Sequence, residues 1–314
     1  MKFSTLSTLS LVYATTVAAT PSFSQRAACS KGRTASSATC CVWYNVLDDL
    51  QANLFEHQCG DDAHDALRLS FHDAIGYSPK LKSQGQFGGG GADGSLIKFG
   101  AIELEYPSNE GLESIVMAEK DLADKYGVSY GDIIQFAGVV SVRNCLFGPR
   151  IAFMAGRPSA TQAAPDGLVP APFDNVTTIL ARVEDAGLTP EEIIDLLASH
   201  SIAFQEHVDP TIPGTPFDLT PAIFDNNFYR DVLLPGSVVP GSGLHTGEVK
   251  SPFPHEFRLQ SDFALARDSR TSGHWLALGL NQHLMVSRFA TAMAKMALLG
   301  QNSGILHDCS EVIP

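Results

Sequence analysis

The apolar positions of this chain recur with helical rather than strand periodicity wherever the pattern is regular. Thr189-Pro190-Glu191-Glu192 combines an N-cap residue, a first-turn proline and a glutamate placed for a capping box. Ile193, Leu196, Leu197 and His200 follow at i, i+3, i+4 and i+7, an apolar stripe that faces a core and ends on a histidine. At about 100° per residue, Asp195 falls roughly 140° from His200 and is expected to point toward solvent. Ser129-Tyr-Gly-Asp132 opens another predicted helix through Ile133, Ile134 and Phe136, and Leu284 to Leu299 is amphipathic. The Pro-, Ala- and Ser-rich stretch 158–172 reads as a connection between two halves, and 205–256 as long irregular loops. The fold class expected is therefore all-α.

One predicted helix has an unusual face. In Cys59-Gly-Asp61-Asp-Ala-His64-Asp65-Ala-Leu-Arg68-Leu-Ser-Phe71-His72-Asp73, positions 61, 65, 68 and 72 fall within roughly 60° of one another. Asp61, Asp65, Arg68 and His72 thus line one side, while Leu67, Leu69 and Phe71 supply others for packing. Arg68 and His72 are i,i+4 neighbours and can address one small ligand. Asp61 lies about 16 Å up the axis from His72, too far to share its reaction centre but placed for the edge of a flat cofactor. A solvated charged face is the plain alternative, as a satisfied core histidine is for His200. Two histidines in such settings suit a haem iron that splits peroxide, one as iron ligand and one as proton shuttle.

Composition narrows the class. The chain has 314 residues, 44% of them hydrophobic, enough for a substantial core. Its formal net charge of -13 argues against a nucleic-acid binder. Residues 1–19, with Lys2, a modest apolar run and Val17-Ala18-Ala19, read as a secretory signal. No later stretch has the roughly 20 apolar residues that span a bilayer. The six cysteines, Cys29, Cys40, Cys41, Cys59, Cys145 and Cys309, suggest disulfides in an exported chain, and their pairing stays open from the residues alone. Asn175-Val-Thr177 is a glycosylation sequon, expected on the surface.

Two loops carry oxygen ligands. The glycine run ending in Gly91-Ala-Asp93-Gly-Ser95 lacks the Gly-Lys-Ser/Thr ending of a phosphate loop and instead suits a hard cation, with Asp73 near by. Asp218-Leu-Thr220-Pro-Ala-Ile223-Phe-Asp225, near Ser201, is a second such set. Ordinary Asx turns account equally well for both.

Taken in order, Arg68-Leu-Ser-Phe71-His72-Asp73, Gly-Gly-Gly-Gly-Ala-Asp93-Gly-Ser95, Leu-Leu-Ala-Ser-His200-Ser201, Pro-Phe217-Asp218-Leu-Thr220-Pro and Arg258-Leu-Gln-Ser-Asp262 make the chain, from about Cys29 to Pro314, resemble the secreted fungal haem peroxidases of the lignin-degrading group. The resemblance implies an extracellular, monomeric, mainly helical enzyme with one haem b between a distal half (20–157) and a proximal half (158–314). It implies His200 as iron ligand with Asp262 bonded to its other nitrogen, His72 and Arg68 as the peroxide-splitting pair, Asn109 and Glu103 behind His72, and Phe71 and Phe217 against the haem. It implies two Ca²⁺ ions, one at Asp73, Gly91, Asp93 and Ser95, the other at Ser201, Asp218, Thr220, Ile223 and Asp225. It also implies the disulfides Cys29–Cys41, Cys40–Cys309 and Cys59–Cys145. Longer relatives carry a further cysteine near Trp275 and a C-terminal tail, and Gly273-His274-Trp275 has no such cysteine.

The reducing substrate divides three ways. A lignin-peroxidase route uses a surface tryptophan at the place of Asp195, and the only tryptophans here are Trp43 and Trp275. A manganese route uses two Glu and one Asp, where this chain has Asp61, Asp65 and Glu206. Phenol oxidation at an exposed haem edge is the first expectation, since phenol-oxidising mushroom relatives share the Asp at 195. A binding protein for Ca²⁺ and haem without catalysis is the alternative of a different class.

Overall fold

The computed structural model describes residues 26–238 and 246–314, so the predicted secretory signal lies outside the described residues. Helices dominate, as expected. In chain order they are α1 (Cys41–Asn53), α2 (Asp61–Ala74), α3 (Pro79–Ser83), α4 (Ser95–Lys98), α5 (Gly100–Glu103), α6 (Glu113–Tyr126), α7 (Tyr130–Asn144), α8 (Val176–Ala186), α9 (Pro190–Leu196), α10 (Asn227–Leu233), α11 (Gln260–Leu265), α12 (Ser272–Leu280) and α13 (Gln282–Met296). Strand structure among the described residues is confined to antiparallel ribbons of two residues per strand, such as Phe204–Gln205 with Thr215–Pro216.

Local signals set the helix starts. Ser129 Oγ accepts from the Asp132 backbone N–H to open α7. Thr189 and Glu192 form both halves of a capping box at α9, with Pro190 in the first turn. The helix predicted at 284–299 is α13. Where 205–256 reads as loop, the structure holds α10, whose Phe228 and Tyr229 are fully buried. Seven residues are too few for a periodic pattern to stand out in that Pro-, Gly- and Asp-rich stretch, so packing rather than propensity makes this helix.

The core runs on both sides of the site. Leu69 and Ala66 of α2 pack with the largely buried α7, and the rings of Trp43, Phe136 and Phe153 meet at centroid distances of 4.7 to 5.0 Å. On the other side Phe228, Tyr229 and Trp275 form a second aromatic cluster. Both tryptophans are buried, Trp43 at 1% and Trp275 at 0% exposure, so neither offers a surface indole. The disulfides are Cys29–Cys41, Cys40–Cys309 and Cys59–Cys145. The last ties the start of α2 to the end of α7.

Candidate active site

α2 begins at Asp61, and its charged face is real but graded. Asp61 is exposed, Asp65, Arg68 and His72 are half-buried, and Asp73 is buried. His72 Nδ1 lies 2.8 Å from Asn109 Oδ1. Asn109, itself buried, donates its amide N–H to the Glu103 carbonyl at 2.8 Å, which fixes the oxygen toward His72. His72 Nδ1 is then the donor, and Nε2 keeps a free lone pair. Burial first, and the Arg68 charge second, push the imidazole down to about 3, while Asn109 acts the other way. His72 is therefore neutral at ordinary pH. Arg68 donates to the Ser108 carbonyl at 3.0 Å and keeps its charge.

Glu103 supports His72 through its backbone carbonyl, not its carboxylate. That carboxyl turns to the 164 backbone N–H at 2.9 Å, and burial raises it to about 7. Ser108 as the Arg68 acceptor is not legible in the sequence, because a backbone carbonyl carries no residue signature.

His200 sits in a different local structure. The α-helix stops at Leu196, and Leu197–Ile202 tighten into a 3-10 helix. His200 Nδ1 lies 3.0 Å from Oδ2 of buried Asp262, leaving Nε2 free. Phe217 packs on the His200 ring at 4.9 Å and Phe228 meets it edge-on at 5.4 Å. Phe228 is a site neighbour on α10, within the stretch whose composition reads as loop. Phe71 lies 6.0 Å from His72, edge-on.

The turn to 3-10 also corrects the expectation for Asp195. It is 1% exposed, and its carboxylate accepts from His274 Nε2 at 2.7 Å and from Arg288 Nε at 3.1 Å. A uniform 100° step does not hold across an α-to-3-10 junction, and α12 and α13 cover the face expected to meet water.

The chain just past His200 reaches α2. Phe204 stacks on His64 at 5.0 Å, and His207 Nδ1 lies 3.6 Å from Glu110 Oε1. Burial raises Asp65 to about 6 against the pull of Arg68, and Asp62, Asp61 and Glu206 add to it. Asp61, Asp65 and Glu206 thus share one region, but their oxygens do not all lie within 4.8 Å of one another. The ligand-like group that does converge, Cys59, His64 and Cys145, has both sulfurs in a disulfide, so it is not a metal site.

The two oxygen-rich loops fit cations. Asp73 and Asp93 are both buried; burial and then Asp93 hold Asp73 well above the usual carboxylate range, and burial raises Asp93 to about 6. Asp73 accepts the Gly94 backbone N–H at 3.0 Å, and Asp93 that of Ser95 at 3.1 Å. Gly91 has φ +74°, and a Cβ there would come within 2.1 Å of the Leu299 carbonyl. In the second loop Asp218 is fully buried, its Oδ1 accepts the Thr220 N–H at 2.8 Å, and its Oδ2 has no partner. Thr220 Oγ1 reaches Asp225 at 3.0 Å. Ser201 is buried, with its hydroxyl on the Ala198 carbonyl, while Ile223 is half-buried. Burial pushes Asp218 up to about 7, an unfavourable state that a cation relieves.

The profile of the peroxidase family matches residues 46–280, and that of the fungal peroxidase extension region matches 284–314. The chain belongs to the peroxidase family. It is 49% identical to versatile peroxidase VPS1 of Pleurotus eryngii, over all of this chain and 86% of that protein. It is 51% identical to ligninase LG6 of Phanerodontia chrysosporium, over 92% of this chain and 78% of that protein. It is 46% identical to a peroxidase of Coprinopsis cinerea, over all of this chain and 87% of that protein. This peroxidase is accordingly a haem-dependent oxidoreductase that acts on hydrogen peroxide, with the mainly helical fold of its class. The donor chemistry fits that group: a histidine whose Nδ1 is held by a buried carboxylate leaves Nε2 free, the kind of nitrogen that a haem iron takes.

Proposed function

We propose that this peroxidase is a secreted monomer that binds one haem through His200 and oxidises phenolic and other aromatic donors one electron at a time at the haem edge. The observation that carries the reading is the contrast in histidine partners: a neutral amide behind His72, a buried carboxylate behind His200. Bound haem supplies the iron at which the peroxide O–O bond is cleaved and the ring edge through which electrons return. Neutral His72 takes a proton from the near peroxide oxygen at Nε2 and hands it to the far oxygen, which leaves as water. Arg68, anchored on Ser108, stabilises negative charge on the departing oxygen. Asp262 accepts the His200 Nδ1 hydrogen and makes Nε2 a stronger donor. Phe71 and Phe217, each beside one of the two histidines, would pack against the haem.

The same reading takes 20–157 as the distal half and 158–314 as the proximal half, each steadied by one Ca²⁺ ion. Asp73, Gly91, Asp93 and Ser95 would hold the first, and Ser201, Asp218, Thr220, Ile223 and Asp225 the second. The unpartnered Asp218 Oδ2 is the strongest support for the latter. Export fits the disulfide-rich chain. Asn175 is exposed, as a glycan acceptor requires, and its side-chain oxygen caps α8 while the amide nitrogen does not take part in the cap.

Mn²⁺ oxidation at Asp61, Asp65 and Glu206 is the second reading. Its support is the raised Asp65, whose neighbours include both other carboxylates. It stands second because the three do not converge on one point. The ligninase and versatile peroxidase names of the relatives make lignin-derived aromatics the natural donors to test.

The test is an absorption spectrum of the haem-loaded protein with and without peroxide, followed by steady-state turnover of Mn²⁺, a phenol and a non-phenolic aromatic. We expect a Soret band that peroxide shifts, and phenol as the fastest donor. Absence of a Soret band sinks the haem assignment. Mn²⁺ turnover above that of phenol, lost in Asp61→Ala/Asp65→Ala, moves the assignment to the second reading.

A further inference from the structure

Asp195 sits where the chain has little local reason to hold its shape. It occupies the last turn of α9, where a carboxylate opposes the helix dipole. Directly after it the backbone leaves α geometry for the six-residue 3-10 segment Leu197–Ile202, which carries His200. Runs of 3-10 beyond about four residues are uncommon, because their hydrogen bonds are poorly aligned. Neither propensity nor the local hydrogen-bond ladder explains why this segment is ordered.

Its neighbours do. The Asp195 carboxylate accepts from His274 on α12 at 2.7 Å and from Arg288 on α13 at 3.1 Å. The preceding carbonyl, Ile194, accepts the Tyr229 hydroxyl of α10 at 2.6 Å. Tyr229 in turn packs on Trp275 at 5.0 Å and takes the indole N–H on its own carbonyl at 2.9 Å. Phe228, next to Tyr229, meets the His200 ring. Three helices are therefore fastened to residues 194 and 195, immediately before the junction, and one of them also touches His200.

We propose that Asp195 is a positioning residue for His200: paired with His274 and Arg288, it fixes the α-to-3-10 junction so that His200 Nδ1 stays aligned on Asp262. An ion pair with a purely structural role could sit anywhere along α9. This one sits in the last turn of α9, which leads directly into the 3-10 segment that carries His200. The inference rests on the reading of His200 as the haem ligand, but its first readout does not need haem.

Amide hydrogen exchange of Leu197–Ile202 tests it, in the apo and haem-loaded full chain, for wild type, Asp195→Asn, His274→Gln and Arg288→Gln. We expect exchange in this segment to quicken about tenfold in Asp195→Asn, with α2 and α7 unchanged. The single-arm variants, which keep the carboxylate, should show smaller increases and guard against loss of folding in the first. In the reduced haem protein the iron–imidazole vibration should fall in frequency in Asp195→Asn, by less than in Asp262→Asn. Uniform loss of thermal stability with unchanged local exchange and an unchanged vibration overturns the proposal and leaves a structural ion pair. A wild-type protein with no histidine–iron vibration instead refutes the ligand assignment, while the exchange comparison still stands.

Discussion

His72 lies within the continuous α2 and is held by a neutral amide, whereas His200 lies on a 3-10 turn and is held by a buried carboxylate. The same side chain is thereby given two chemistries. The amide fixes the His72 tautomer without adding negative charge, and burial with Arg68 keeps the ring neutral, ready to accept a proton. The carboxylate adds electron density to His200 and suits it to bind a metal. Their supports differ too. α2 is held along its length by packing on α7, whereas the His200 turn depends on side chains from α10, α12 and α13. In the function proposed here, base and ligand are distinguished by what stands behind the ring.

The sharpest way to break that comparison is to delete each ring. His72→Ala should keep its haem and slow the peroxide reaction about 10³-fold, as stopped-flow absorbance would record. His200→Ala should instead lose haem retention itself. If His72→Ala reacts near the wild-type rate, or if His200→Ala holds haem as firmly as wild type, the roles have been misassigned.

The two loops proposed to hold Ca²⁺ divide the same way, one beside each histidine. Chelation of Ca²⁺ from the purified enzyme should lower the thermal midpoint by about 5 °C or more, and added Ca²⁺ should restore it. Asp218→Ala should reduce the response without removing it, because the Asp73 loop remains. A midpoint indifferent to chelator in wild type would leave both loops as ordinary turns.

The smallest effects concern pH, and the two directions oppose each other. His72 falls from 6.5 to about 3 in the folded state, so between those values the unfolded chain binds more protons and the native state loses stability as pH falls. The free rate of peroxide reaction should nonetheless hold until pH approaches 3, where the base is protonated. Glu119 behaves inversely. It is fully buried on α6 with neither carboxyl oxygen partnered, and burial, then Asp73, hold it well above 4.5. The unfolded chain then releases a proton that the folded one keeps, so stability drains as pH rises above 4.5 toward the folded value. Glu119→Gln should raise the thermal midpoint at pH 7 and leave it unchanged at pH 4. An equal shift at both values would separate the effect from ionisation.

By itself, the chain determined the features that depend on near neighbours. The capping box at Thr189, the N-cap at Ser129 and the charged face of α2 follow from spacings of three and four residues, because a helix brings those positions together without outside help. The ordered motifs also sufficed to suggest the family and the histidine pair. Tertiary structure decided the rest. It placed Asn109 behind His72, Asp262 behind His200 and Ser108 under Arg68, across separations of 37, 62 and 40 residues. It made α10 from a stretch with no periodic signal. It buried Asp195 against His274 and Arg288, which lie 79 and 93 residues away. A helical wheel assumes one step angle and an open outer face. At α9 the angle changes at Leu197 and other helices cover that face, and only long-range packing could settle either point.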